Sequence, residues 1–210
     1  MINLILSDTR RSINYVEEII KNKIEINKIF LYSKTNGHLY KFIKKNNLLS
    51  YLINFKTNNI NSKIISNKLE LYKCKTNIIS TYPGEIVSNS SLLNKKLIHC
   101  HPGNLPQFKG STTIYYSIIM NKKICVSIFV MNKKIDAGII LYKKYFSYPR
   151  NLIEIEKNFD SKIRALTLVE YLKNKRKKKY KFIKSNENYL PYYIAHPIVR
   201  KIVLNKSHLK

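Results

Sequence analysis

The chain has 210 residues, 44% hydrophobic and 11% aromatic, a composition that favours a globular protein over a disordered one. The sequence contains no apolar run of ~18 residues, so no membrane-spanning helix is predicted. Its three scattered cysteines argue against a disulfide framework, so a cytoplasmic protein is predicted. The 39 basic and 12 acidic residues give a charge of +27, interpreted as bias toward A/T-rich codons because Ile, Asn and Tyr are also abundant; an anionic partner is the alternative.

The first half of the chain alternates strand and helix patterns. Strands are predicted at 2–6, 27–32, 77–81 and 96–101. Helices are predicted at 12–22, 33–46 and 86–94, while 48–76 suggests only a short strand and a helix through 66–73. Candidate N-caps for the first helix are Ser7, Asp8 and Thr9.

The second half predicts a helix at 111–121, begun by Ser111 or Thr112, and an antiparallel pair of strands at 123–131 and 139–146. A long helix is predicted at 152–173, and the C-terminal segment from Tyr189 as a strand or turn, with substrate contact by Tyr192, Tyr193 or His196 as the alternative. This order predicts an α/β fold with a mostly parallel sheet flanked by helices and a late antiparallel hairpin. No Gly-, Pro- or Ser-rich linker divides the chain, so 1–210 is predicted to be a single domain, with 174–210 as a C-terminal extension packed on it.

Rare residue types concentrate at 97–119, which holds two of the five histidines, two of the five glycines and two of the six prolines. His99 and His101 alternate along one strand and are expected to share a face, at the strand end where ligands of α/β sheets bind. Asp136 begins a later apolar strand. Together the three side chains could charge an imidazole, relay a proton or bind a metal ion; the structural alternatives are a hydrogen-bonded histidine and a turn aspartate.

The sequences HPGNLPQFKG and IDAGIIL, in this order and spacing, resemble the formyltransferase family that uses 10-formyltetrahydrofolate. The match lies mainly within 78–146. The resemblance implies a Rossmann-like fold, with His101 and Asp136 as catalytic residues. His99 replaces the family's asparagine, which is the main departure. Our hypothesis is that Asp136 keeps His101 protonated to donate to the oxyanion of the transition state, while His99 stays neutral.

The resemblance also implies positions for the two substrates. Predicted folate contacts are Tyr82, Pro83, Gly84, Glu85, Ile86, Val87, Met131, Asn132 and Lys133. Predicted contacts to the amine-bearing acceptor are Arg10, Arg11, Gly103, Gly110, Ser111 and Thr112; the two arginines stand at a helix N-terminus, which suits a phosphate. The favoured acceptor is a nucleotide-linked amino-sugar for surface polysaccharide.

Three alternatives remain open from the sequence. A metal-dependent hydrolase would use His99, His101 and Asp136. A basic nucleic-acid-binding domain would use the charge but leave the 97–119 region unexplained. A relative that binds folate without catalysis would follow from the residue at position 99. The oligomeric state is also open, with a homodimer as one alternative.

Overall fold

The computed structural model describes residues 1–174 and 189–205. The chain forms two compact units, Met1–His99 and Cys100–Lys210. The single-domain assignment therefore stays a prediction. Most of the predicted C-terminal extension at 174–210, with its lysine-rich run, lies outside the described residues.

Five parallel strands run through the first unit, in the order β3-β2-β1-β4-β5. They are β1 (Ile2–Ser7), β2 (Ile26–Tyr32), β3 (Leu52–Phe55), β4 (Asn77–Ser80) and β5 (Leu97–His101), the last of which continues into the second unit. Every residue of β1 is buried, as expected for a central strand covered on both faces. Ile5 of β1 pairs with Phe30 on one side and with Ile79 on the other.

Four α-helices belong to this unit: α1 (Arg10–Lys21), α2 (His38–Lys45), α3 (Lys63–Leu71) and the short α4 (Ser90–Leu93). Thr9 caps α1 by accepting the backbone N–H of Ser12. Asp8, another predicted cap of α1, instead accepts the N–H of Leu39 at the start of α2, 2.8 Å away. The helix predicted at 86–94 is shorter because Asn89 accepts the N–H groups of two residues that follow it and so fixes the start of α4.

The second unit contains α5 (Thr113–Asn121), β6 (Ile124–Val130), β7 (Ile140–Phe146), α6 (Asp160–Asn174) and α7 (Pro197–Leu204). β6 and β7 form the predicted antiparallel hairpin, with Val126 opposite Lys144. A π-helical turn at Ile155–Phe159 precedes α6, so the predicted long helix is regular only in its later part. The C-terminal prediction was wrong for α7, where Pro197 occupies the first turn and His196 caps it by accepting the N–H of Ile198.

The described residues thus contain seven strands, and they confirm the predicted α/β fold with a mostly parallel sheet, flanking helices and a late antiparallel hairpin. Within 1–174 and 189–205, no helix has the length and hydropathy needed to cross a membrane. The ends of the strands and the loops that follow them carry most of the predicted site residues.

Candidate active site

The loop after β5 is tied to β6 by a buried hydroxyl. Ser127 of β6 donates to the carbonyl of Gly103 at 2.6 Å and accepts the N–H of Leu105 at 3.1 Å. The Leu105–Pro106 peptide is cis. The two hydrogen bonds of Ser127 fix the backbone of the loop that follows His101.

His101 is buried at the end of β5, with 3% of its surface exposed. Its Nε2 lies 2.6 Å from the carbonyl oxygen of Phe108 and 3.3 Å from the hydroxyl of Thr113, which itself donates to the carbonyl of Pro102. Gly103 packs so tightly here that a Cβ would stand 2.6 Å from Nε2 and 2.5 Å from the Phe108 oxygen. Gly103, predicted to contact the acceptor, therefore makes room for the imidazole.

Asp136 faces the other ring nitrogen of His101. Its Oδ2 lies 3.4 Å from Nδ1 and accepts the backbone N–H of Gly110 at 2.8 Å. The carboxylate is held in a turn in which Asp136 itself has a φ of 46°, in the left-handed region. Its side chain is 15% exposed, so Asp136 is the more accessible member of the pair.

The hydrogen bonds indicate how the ring is protonated. The Phe108 carbonyl can only accept, so Nε2 carries a proton, and in a neutral ring Nδ1 then faces the carboxylate without one. Burial lowers the pKa of His101 below its ordinary value of 6.5, and this effect outweighs the opposing influence of Asp136 and the Phe108 carbonyl. In the neutral ring, Nδ1 is thus the atom that can take up a proton, and it faces Asp136.

The expectation that Asp136 keeps His101 protonated stays a prediction. Asp136 does raise the His101 pKa, but desolvation of the buried ring is the larger effect. Both ring nitrogens also lie close to protein oxygens. Direct donation from His101 to an oxyanion would require the ring to leave one of them.

His99 belongs to the first unit and is half-buried. Its Nδ1 lies 3.3 Å from the carbonyl oxygen of Ile79 on β4. A carbonyl cannot donate, so Nδ1 carries the proton in this contact, and the Nε2 of a neutral His99 is then an acceptor. An asparagine amide would offer a donor without this condition.

The turn predicted to hold folate is organised by Glu85. Its carboxylate accepts the hydroxyl of Tyr32 at 2.8 Å, the N–H of Ile60 at 2.8 Å and the N–H of Tyr82 at 3.1 Å. Burial, and then the charge of Glu85, raise the pKa of Tyr32 well above its ordinary range. Glu85 therefore shapes the turn through protein contacts.

The rest of this turn has a mixed surface. Val87 is buried, whereas Ile86 is 56% exposed. Gly84 has a φ of 76°, and no described atom lies within 4 Å of the position that a Cβ would take. An exposed apolar side chain beside an open backbone turn is a surface on which a flat ring system fits.

Three further predicted folate contacts lie after β6. Met131 packs against the buried cluster of Leu105, Phe129 and Ile140. Asn132 donates to the carbonyl of Ala137 and accepts the N–H of Lys134, and Lys133 is exposed. Met131 is thus a packing residue, and Asn132 stabilises its own turn.

The two arginines predicted to bind phosphate differ. Arg11 is half-buried; its Nε donates to the hydroxyl of Ser80 at 2.9 Å, and its Nη2 donates to the carbonyl of Thr81. Arg10 is exposed at the start of α1. Arg11 therefore fixes the end of β4, and Arg10 is the better placed of the two to meet a ligand from solvent.

The predicted acceptor contacts at 110–112 meet the C-terminal segment of their own unit. The N–H of Ser111 donates to the carbonyl of Tyr192 at 2.9 Å, and the hydroxyl of Thr112 accepts the N–H of Ala195 at 2.7 Å. Thr112 precedes α5 but makes no side-chain cap. Contact of these residues with an acceptor stays a prediction.

Sequence reasoning missed the partners that set the His101 ring. The Phe108 carbonyl is a backbone group and carries no residue signal. Thr113 lies within the helix predicted at 111–121. A hydroxyl at the first residue of a helix that follows a loop is a recognisable hydrogen-bond partner. Arg164 and Asp160, a bidentate pair with bonds of 2.9 and 2.7 Å on α6, also influence the ring electrostatically.

The metal-dependent alternative would need His99, His101 and Asp136 as joint ligands. In the part of the chain that the structure describes, no three His, Cys, Asp or Glu side chains come together as ligands for a metal ion.

No protein-family model matches the sequence, and no match is found among curated proteins. Solved structures do match. A sugar N-formyltransferase from a Shewanella species aligns over 97% of this chain and 86% of its own, with 18% identity and a TM-score of 0.64. Phosphoribosylglycinamide formyltransferase from Bacillus halodurans aligns over 86% of this chain and all of its own (100%), with 18% identity and a TM-score of 0.62.

A third structure is a sugar 3N-formyltransferase solved in the presence of dTDP and 5-formyltetrahydrofolate. It aligns over 90% of this chain and 69% of its own, with 17% identity and a TM-score of 0.58. At these identities the comparisons show a shared fold. The chain has the fold of the formyltransferases, as the sequence motif predicted.

Proposed function

We propose that this chain is an enzyme that transfers a formyl group from 10-formyltetrahydrofolate to a primary amine. The observation that carries the proposal is the His101–Asp136 pair, which lies at the end of a parallel strand in a fold shared with formyltransferases. The sequence motif and the 3.4 Å contact between the two side chains both support the proposal.

The reaction needs a base and balances without an oxidant or reductant. The amine nitrogen bonds to the formyl carbon, the bond from that carbon to N10 of the folate breaks, and the proton lost by the amine is matched by one gained at N10. Bound 10-formyltetrahydrofolate would supply the formyl group. Asp136, the more accessible of the pair, would take the amine proton directly or through a water molecule.

His101 would act behind Asp136. Its Nδ1 lies 3.4 Å from the carboxylate, so a proton that arrives there forms an ion pair with Asp136 in a buried environment. The exposed apolar side chain of Ile86 and the open backbone at Gly84 suit the flat ring system of a folate and would contact it. The remaining predicted folate contacts at 82–87 and 131–133 complete the proposed set.

His99 would take the place of the family's asparagine as a donor near the developing charge. Because its Nδ1 proton is directed to Ile79, donation from Nε2 requires a second proton on the ring. We therefore expect His99→Asn, which restores an amide donor at this position, to keep or raise kcat. His99→Ala should lower kcat; equal loss in both variants would contradict a donor role.

For the acceptor we propose a nucleotide-linked amino-sugar. Two of the structures described above are named sugar N-formyltransferases, and Arg10 at the start of α1 offers a cation to a phosphate. Arg10→Ala should raise KM for the acceptor several-fold and make KM less dependent on salt. Arg11→Ala should instead lower stability, because its guanidinium holds the end of β4.

The first experiment is a titration with 5-formyltetrahydrofolate, followed by turnover of 10-formyltetrahydrofolate with amino-sugar nucleotides, glycinamide ribonucleotide and methionyl-tRNA. We expect saturable folate binding and turnover that depends on one of the sugar nucleotides. Turnover with another amine would keep formyl transfer and replace the acceptor. Absence of folate binding would contradict the proposed function.

A further inference from the structure

Two backbone groups hold the His101–Asp136 pair, and both come from one short segment of chain. The Phe108 carbonyl accepts from His101 Nε2 at 2.6 Å. Two residues later, the Gly110 N–H donates to Asp136 Oδ2 at 2.8 Å. The position of both side chains therefore depends on what fixes the backbone at 108–111.

Tyr192 fixes that backbone from the C-terminal side. Its N–H donates to the carbonyl of Lys109 at 2.8 Å, and its carbonyl accepts the N–H of Ser111 at 2.9 Å. The two bonds form an isolated parallel bridge centred on Gly110. The peptide groups on both sides of Gly110 are thus bonded to one residue.

The Tyr192 ring adds side-chain contacts to these bonds. It stacks on Phe108 with a centroid distance of 5.6 Å and lies 4.5 Å from the ring of Tyr116 on α5. Its hydroxyl lies 3.7 Å from the sulfur of Met120. Aromatic contacts at these centroid distances stabilise the segment beyond the burial of their surface.

The bridge leaves no room for adjustment at Gly110. A Cβ there would stand 2.3 Å from the Tyr192 oxygen and 2.8 Å from its nitrogen, and the φ of 93° favours glycine. The close approach explains why a glycine stands between the two groups that hold His101 and Asp136.

We propose that Tyr192 is a positioning residue for the His101–Asp136 pair, acting through the 108–111 backbone. The catalytic role of the pair rests on the proposed function. The positioning of the pair by Tyr192 does not. Tyr192 touches neither His101 nor Asp136 through the contacts described, so its effect must pass through Phe108 and Gly110.

Loosening this segment should change how His101 titrates. Burial is the largest influence on the His101 pKa and lowers it; Asp136, the Phe108 carbonyl and Asp160 oppose burial, and Arg164 adds to it. When water reaches the ring, the lowering is relieved, so the pKa should rise toward 6.5.

The test is an NMR titration of the histidine rings in the ligand-free protein, with His101 assigned from His101→Gln. In Tyr192→Ala, the His101 midpoint should move up, whereas Tyr192→Phe, which keeps the ring and both backbone bonds, should match wild type. Tyr193→Ala is the matched control for the titration, because the neighbouring Tyr193 is 89% exposed. If Tyr192→Ala does not fold, Tyr192→Leu replaces it.

An unchanged or lower His101 midpoint in a folded Tyr192→Ala or Tyr192→Leu protein would overturn the proposal. In turnover, kcat should fall about 10- to 100-fold, with KM for the folate within about twofold and with recovery in Tyr192→Phe. A fall in affinity alone would also overturn it. If wild type shows no formyl transfer, the titration still decides the role of Tyr192, so the two failures are distinguishable.

Discussion

Two carboxylates in loops of this protein serve different ends. Glu85, in the first unit, accepts from one hydroxyl and two backbone N–H groups, all 2.8–3.1 Å away. Asp136, in the second unit, accepts from one backbone N–H and faces a histidine nitrogen at 3.4 Å. The first is surrounded by groups that keep their protons, and the second has a neighbour that can gain one.

The difference separates a carboxylate that holds its own turn from one that faces a titratable ring. Burial and Glu85 push the Tyr32 pKa up, so that hydroxyl remains a donor throughout the physiological range. Burial lowers the pKa of His101 below 6.5, and Asp136 raises it, so the charge of this ring depends on its surroundings. Both carboxylates are partly buried, so burial alone does not distinguish them; the neighbouring groups do.

Asp136→Asn should give the largest effect. The amide oxygen can still accept the Gly110 N–H, but the base is lost, so kcat for formyl transfer should fall at least about 100-fold. The His101 pKa should fall further, because Asp136 raises it. Glu154→Gln, at an exposed ion pair of the same unit, is the control. Turnover within tenfold of wild type would remove Asp136 from the chemistry.

Glu85→Ala should produce the opposite pattern, a loss of stability. Removing the carboxylate leaves a Tyr32 hydroxyl and two N–H groups without their acceptor, which should lower the free energy of unfolding by about 2–4 kcal/mol. Urea denaturation measures this. Glu70→Ala, which breaks a solvent-exposed pair with Lys95, should lower it by about 1 kcal/mol or less. Equal losses would show that the Glu85 network is not structural.

The pH dependence of stability should follow His101. Its pKa is lower in the folded protein than in the unfolded chain, so below about pH 6.5 the unfolded chain binds more protons. Stability should fall as the pH drops from about 6.5 through the folded-state pKa, and this part of the loss should be absent in His101→Gln. Thermal unfolding of both proteins between pH 5 and 7.5 would measure it; parallel curves would place the titration elsewhere.

Tyr32→Phe should give the smallest effect. It removes one of the three donors to Glu85 and leaves the two backbone N–H groups, so the free energy of unfolding should fall by about 1 kcal/mol. A loss as large as that of Glu85→Ala would mean that the hydroxyl, and not the backbone bonds, holds the turn.

The sequence predicted most elements within a few residues because their signals are local. β1 and β2 are rich in apolar residues, and the hairpin of β6 and β7 joins two apolar runs across the 131–139 loop. The weakly patterned region at 48–76 and the ends of α4 and α6 were predicted poorly. At α4 and α6, a capping side chain and a π-helical turn fix the boundary, and neither follows from hydrophobic periodicity.

The sequence by itself determined the α/β order, because hydrophobic patterns are local, and the resemblance of HPGNLPQFKG and IDAGIIL to a known family implied that His101 and Asp136 act together. Only the tertiary structure decided the burial of His101, the Glu85 network and the position of Tyr192. Each depends on desolvation or on backbone groups far apart in the chain, such as the Tyr192 bonds to Lys109 and Ser111. Backbone carbonyls and N–H groups are the same in every residue, so a sequence does not reveal which of them a side chain will meet.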